Sequence, residues 1–252
     1  MRRKGTTLDL LLVSVAVAVL ALASSASAQE LALTEAELFF ELNDTDGDLG
    51  IHASIDGGPY SKLEIEDPRG RTIFEVGARG PLLRQGLTQL FLESAEPSFD
   101  ELPPEQFFRR FPEGTYEIEV ERGRKKAEAK VPLSHVLAAP PSEITVNGID
   151  AAENCDAPDL PKVTAPVTVE WESVTMSHPE IGALPPRPVE IVRYQFFTQQ
   201  GTTTFAVDLP PTATEFQVPE EITQAKGVFK FEIIARARNL NNTAIESCFV
   251  VE

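Results

Sequence analysis

Several kinds of protein are excluded by what this chain lacks. After residue 28 no apolar run approaches the roughly 20 residues needed to span a bilayer. Basic residues are scarce, 22 against 39 acidic ones, so the surface repels nucleic acid and anionic lipid and attracts cations. The three histidines, His52, His135 and His178, fall on separate segments. No Gly-x-Ser-x-Gly elbow, His-Glu-x-x-His helix or phosphate-cradling glycine loop accompanies them. With 39 acids available, any pair chosen for glycoside hydrolysis is uninformative. One tryptophan and three tyrosines leave little surface for stacking sugars. The chain therefore reads as non-catalytic, with no cofactor beyond a candidate calcium ion.

The first 28 residues read as a leader. Arg2, Arg3 and Lys4 form a basic head, Leu10 to Ala23 an apolar core, and Ala26-Ser27-Ala28 a small-residue cleavage site. Such a leader directs export to the periplasm or the exterior, and its short basic head suits a bacterium. No membrane insertion is expected after cleavage. Removing it takes away Arg2, Arg3, Lys4 and Asp9, leaving 19 basic and 38 acidic residues and a net charge of −19. Export places Cys155 and Cys248, the only two thiols, in an oxidising compartment. A structural disulfide is expected there, ahead of a nucleophile or a ligand pair.

What is present is β-pattern. Twenty prolines and fifteen phenylalanines point to short strands and many turns. In the first half, Glu37 to Leu42, Gly50 to Ile55, Tyr60 to Glu66, Arg71 to Val76 and Leu87 to Glu93 read as strands. Asp46-Gly47, Asp56-Gly57-Gly58 and Asp67-Pro68-Arg69-Gly70 supply turns at about ten-residue spacing. One short helix is expected between Pro103 and Phe111, with Phe107, Phe108 and Phe111 on one side. A last hairpin turns at Arg122-Gly123 and points Tyr116, Ile118 and Val120 inward. The Pro140-Pro141 stretch marks a stiff linker. The expected organisation is a leader (1–28), a first β-sandwich (29–138), a linker (139–142) and a second β-sandwich (143–252).

In the second half, Trp171 stands on an early strand and Tyr194 on the next. LPPTATEFQVP precedes the late strands, and FKFEIIARARNLNNTAIES closes the chain. These residues resemble the fibronectin type III family over roughly residues 142 to 252. Phe229 or Phe231 stands where that family usually has tyrosine, and Asn241-Asn242 replaces its commoner glycine turn. Met176 to Pro188 is longer than the family needs, and the Cys155–Cys248 pair is not standard there. The resemblance implies a seven-stranded sandwich used as a spacer or binding module, and it carries over no catalytic residue. The first half matches no family, although its strand pattern is similar to other immunoglobulin-like domains. The fold class is thus all-β, two tandem immunoglobulin-like β-sandwiches, the first with one short helix.

Asp44, Asp46 and Asp48 stand at alternate positions of a tight loop, as in the opening of a calcium-binding loop. Leu49 in the glycine position, Ile55 in the bidentate-glutamate position and flanking strands depart from that pattern. The other reading is an acidic hairpin turn in which Gly47 supplies positive φ. Arg79 and Arg84, and the Arg109-Arg110 pair, are local basic spots that serve an acidic ligand or are simply solvated. Asn43-Asp44-Thr45 and Asn241-Asn242-Thr243 match the glycosylation sequon. The function expected is binding, adhesion or assembly with a protein or glycan partner. A secreted hydrolase or its carbohydrate-binding accessory, and a purely structural spacer, are the alternatives.

Overall fold

The computed structural model describes residues 31–252. The leader expected over residues 1–28 lies outside the described residues. The first half runs β1 (Leu33–Asn43), β2 (Asp48–Tyr60), β3 (Lys62–Glu66), β4 (Thr72–Gly77), α1 (Gly80–Gln85) and β5 (Leu87–Glu93). It continues with α2 (Pro104–Arg110), β6 (Gly114–Arg122) and β7 (Lys125–Leu133). The second half opens with three two-residue strands, β8 (Thr145–Val146), β9 (Ile149–Asp150) and β10 (Lys162–Val163), then β11 (Val167–Glu170). It ends with β12 (Ile191–Gln200), β13 (Thr203–Leu209), β14 (Glu215–Val218), α3 (Glu220–Thr223), β15 (Gly227–Ala237) and β16 (Asn242–Val251). The chain is all-β.

Period-two alternation sets the faces. Leu38, Phe40 and Leu42 of β1 pack with Ile51, Ala53 and Ile55 of β2 against Leu63, Ile65, Tyr116, Ile118 and Val120 of the facing sheet. That sheet has the order β4-β3-β6-β7. Phe107 and Phe108 of α2 close one end, with Phe40 edge-on to both rings. A second core gathers Phe229, Phe231, Ile233, Ala235 and Ala237 of β15 with Val167, Val169, Trp171, Tyr194, Phe196 and Phe249. Its facing sheet has the order β14-β11-β8-β9. Trp171 is buried just beyond the end of β11, edge-on to Tyr194.

The large sheet is common to both halves. Its order is β13-β12-β15-β16-β1-β2-β5, with β10 also paired to β16. β16 runs parallel to β1, with Glu41 opposite Asn242, Leu42 opposite Thr243 and Asn43 opposite Ala244. Asn241, fully buried before β16, secures that seam. Its Oδ1 accepts from the Phe40 N–H at 2.9 Å, and its Nδ2 donates to the carbonyls of Ser134 at 2.7 Å and Val136 at 2.9 Å. Thr243 Oγ1 donates to the Ala138 carbonyl at 2.9 Å, and Ile181 packs against the first core. Residues 139–142 form neither helix nor strand, and the Ala139 N–H donates to the Met176 carbonyl.

Three details differ from expectation. Asp56-Gly57-Gly58, read as a turn, is continuous strand within β2, and the chain leaves that strand only after Tyr60. The first half holds a second short helix, α1, beside the one expected; it buries no side chain, so no amphipathic pattern marks it. α3 adds one turn to the second half. The expected disulfide joins Cys155 to Cys248. It ties the segment after β9 to β16, where Ser247 Oγ also donates to the Ala152 carbonyl at 2.7 Å.

Candidate functional site

The outer face of the shared sheet, away from both cores, carries a groove of about 380 Å³ that crosses the seam between the halves. Six adjacent strands floor it, which at about 4.8 Å spacing makes a surface roughly 24 Å across. β1 supplies Glu35, Glu37, Phe39 and Glu41, the residues that alternate with its core positions. β2 adds His52 and Ser54, and the edge strand β5 adds Phe91 and Glu93. From the second half come Arg193 and Gln195 on β12, Ile234 and Arg236 on β15, and Asn242 on β16.

Arg236 lies at the centre. Its side chain is only 6 % exposed, its Nη2 lies 2.5 Å from Glu37 Oε2, and its Nη1 donates to Asn242 Oδ1 at 3.2 Å. The guanidinium carbon sits 4.6 Å above the Phe39 ring, a cation–π placement. Asn242 Nδ2 in turn donates to Glu41 Oε2 at 2.7 Å. Burial pushes the Arg236 guanidinium below its ordinary value, and the charge of Glu37 opposes that push. The pair is half-buried, Glu37 keeping 30 % of its side chain exposed, and it spans the seam. Here it holds β1 of one half against β15 and β16 of the other.

A second cluster borders the groove. His52 Nε2 meets Glu96 Oε1 at 2.8 Å, between the Phe39 and Phe91 rings. Glu96 reaches it because residue 50 is glycine; a Cβ there would stand 2.2 Å from Glu96 Oε1. Burial pulls His52 down, but its hydrogen bond with Glu96 and the charges of Glu41, Glu96 and Glu93 outweigh it, and the net shift is upward. Asp48 is pushed up to about 6 by burial, then by the charges of Glu96 and Asp46. His52 is on the outward face, as its alternation with Ile51 requires, but the aromatic rings and Glu96 cover it.

The carboxylates of this face are unevenly neutralised. Glu37 has Arg236, and Arg193 is engaged by Asp208 at 3.1 Å. Among the described residues, Glu35, Glu41 and Glu93 have no cationic partner; Glu35 accepts from Ser54 Oγ at 2.5 Å, and Glu41 accepts only from Asn242. The groove thus presents negative charge beside the Phe91 ring, which is 59 % exposed.

The aspartates singled out in sequence lie at the β1–β2 turn, where Gly47 has φ 63°. Asp44 Oδ1 is bonded to His178 Nε2 at 2.9 Å, across the halves, and Asp46 Oδ2 accepts from Asn43 Nδ2 at 3.2 Å. Among the described residues no three His, Cys, Asp or Glu side chains are placed to hold a metal ion. His178 is buried, its Nδ1 accepting from the Glu180 and Ile181 N–H groups. Arg109 lines a separate hollow of about 500 Å³ with Arg69 and His135. Arg84 sits in the last turn of α1, and its carbonyl accepts from Arg122 Nη2 at 3.1 Å. The Asn241 sequon is closed in the folded chain, because that amide is buried and fully bonded.

No family model and no curated protein matches the chain. Among solved structures, a two-domain fibronectin type III segment of chicken tenascin is 16 % identical, with 86 % of this chain and 98 % of that chain covered, at a TM-score of 0.27. The ligand-binding domain of human OSCAR is 9 % identical over 84 % and 97 % of the two chains, at 0.25. A structure of a 1.5-MDa bacterial ice-binding adhesin is 11 % identical over 88 % and 65 %, also at 0.25. The likeness is loose at these scores, and the all-β description stands on the strands and sheets themselves.

Proposed function

We propose that this chain is an exported, non-catalytic binding module of the cell envelope or extracellular space that holds a cationic partner in the groove across its shared sheet. The observation that carries this reading is the charge imbalance of the groove. Arg236 and Arg193 are taken up by Glu37 and Asp208, and Glu35, Glu41 and Glu93 are left to face an incoming group. The net charge of −19 after loss of the leader draws such a partner in from solution. Among the described residues, His52, His135 and His178 bond to Glu96, the Phe111 carbonyl and Asp44, and none of the three is hydrogen-bonded to a serine, threonine or cysteine side chain that it could activate.

Calorimetric titration with spermine tests this. Binding is expected at low ionic strength and should weaken strongly above about 0.15 M salt, where the screening length is about 8 Å. The double variant Glu35→Gln/Glu93→Gln should lose most of it. Glu105→Gln/Glu172→Gln, on exposed positions outside the groove, should keep it. Equal losses in the two double variants would show a diffuse charge effect and defeat the proposal.

A further inference from the structure

The groove opens onto a sheet edge whose backbone is available to pair. The sheet facing β1 and β2 ends at β7, which carries Lys125, Lys126, Lys130 and Pro132, residues that discourage further pairing. The edge strands of the second small sheet, β9 and β14, have two and four residues. β5 has none of these protections. It is seven residues long, without lysine or proline, and its register with β2 is unbroken from Gln89 to Glu93. The Ser94 N–H donates to the Ile51 carbonyl at 3.1 Å. Alternation then turns the N–H and C=O of Leu90 and Leu92 toward β2, and those of Gln89, Phe91 and Glu93 toward the open side. Phe91, on this edge strand itself, is largely exposed.

We infer that an extended segment of a partner protein adds to this edge as a further strand, with basic and apolar residues alternating along it. This rests on the cationic-partner reading of the groove and states how the partner is held. Residues of an added strand that share the groove face stand about 5 Å from Phe91 and Glu93. A lysine or arginine there meets the Glu93 carboxylate and lies along the exposed Phe91 ring. The intervening residues lie beside Leu90 and Leu92, which are only partly buried against the first core, so apolar side chains there complete its cover. Main-chain bonds give the affinity, and the two faces of the added strand give the pattern.

The probe is an acetylated, amidated peptide in which lysine and valine alternate through four repeats. It is compared with a block isomer, in which all the lysines precede all the valines, and with spermine. Two further versions carry N-methyl groups on all lysine or on all valine amides, and only one of the two can still donate to β5. The alternating peptide should bind at least about tenfold more tightly than the block isomer, and one N-methylated version should lose at least about tenfold, a step of the size that lost main-chain hydrogen bonds produce. Gln89→Pro removes an outward N–H, leaves the β2 ladder and the groove lining in place, and should weaken the peptide but not spermine. If both N-methylated peptides bind as well as the parent while spermine still binds, strand addition is wrong and the groove reading survives. If neither spermine nor the peptide binds, both are wrong.

Discussion

Asn241→Ala tests the seam that builds the groove. The side chain is fully buried and makes three hydrogen bonds, one from the Phe40 N–H on β1 and two to the Ser134 and Val136 carbonyls. The two bonds to carbonyls are worth about 1 kcal/mol each net, and the Phe40 N–H left buried without a partner costs about 1–3 kcal/mol. Together these give a loss of about 3–5 kcal/mol, a large part of the roughly 5–15 kcal/mol that holds a typical domain folded. For a chain of this size that corresponds to a drop in melting temperature of about 10 °C. Urea titration followed by fluorescence measures the loss, and amide exchange locates it: the Phe40 N–H should become much faster. Asn241→Asp keeps an acceptor for Phe40 but loses both donors and buries a charge against two carbonyls, so it should be no better than alanine. A loss below about 0.5 kcal/mol with Phe40 still protected would refute the reasoning.

Asp48 is shifted upward from 3.8 to about 6. The folded state therefore holds this proton more tightly than the unfolded chain, so the group favours folding below about pH 4 and that contribution is lost as pH rises through 6. Asp48→Asn should stabilise by about 1 kcal/mol at pH 7.5, after allowance for partial solvent screening, and should change little at pH 4; urea titrations at the two pH values check it. Calcium followed by chelator should leave the melting temperature unmoved, since Asp44 and Asp46 are bonded to His178 and Asn43; a rise abolished by Asp46→Ala would show that the turn rearranges around the ion.

The strands were legible because one alternating face of each is apolar. Phe229, Phe231 and Ile233, or Tyr116, Ile118 and Val120, state their own orientation, and all are buried. Asp46-Gly47 and Pro68-Arg69-Gly70 likewise marked the β1–β2 and β3–β4 hairpins, whereas Asp56-Gly57-Gly58 lies inside β2, where the ladder with β5 shifts register. The seam was not legible. It pairs residues 41–43 with 242–244 through main-chain bonds that impose no side-chain pattern. The groove was hidden for the same reason, since the outward positions of β1 are mostly glutamates that read as ordinary solvent-facing residues. Two signals were present: Phe39, an aromatic residue on the polar face of β1, and Arg236, a lone charge between Ala235 and Ala237. In the fold these two are stacked. Gly50 was a weaker sign, its missing side chain making room for Glu96.

Amide hydrogen exchange with and without the alternating lysine–valine peptide tests the central claim most directly, because it reports both halves in one experiment. A shared groove with an open edge predicts new protection at Gln89, Phe91 and Glu93, together with slower exchange around residues 35–41 and 234–242 on the two sides of the seam. Protection confined to one half, or spread over the acidic outer face of β3, β6 and β7, would contradict it.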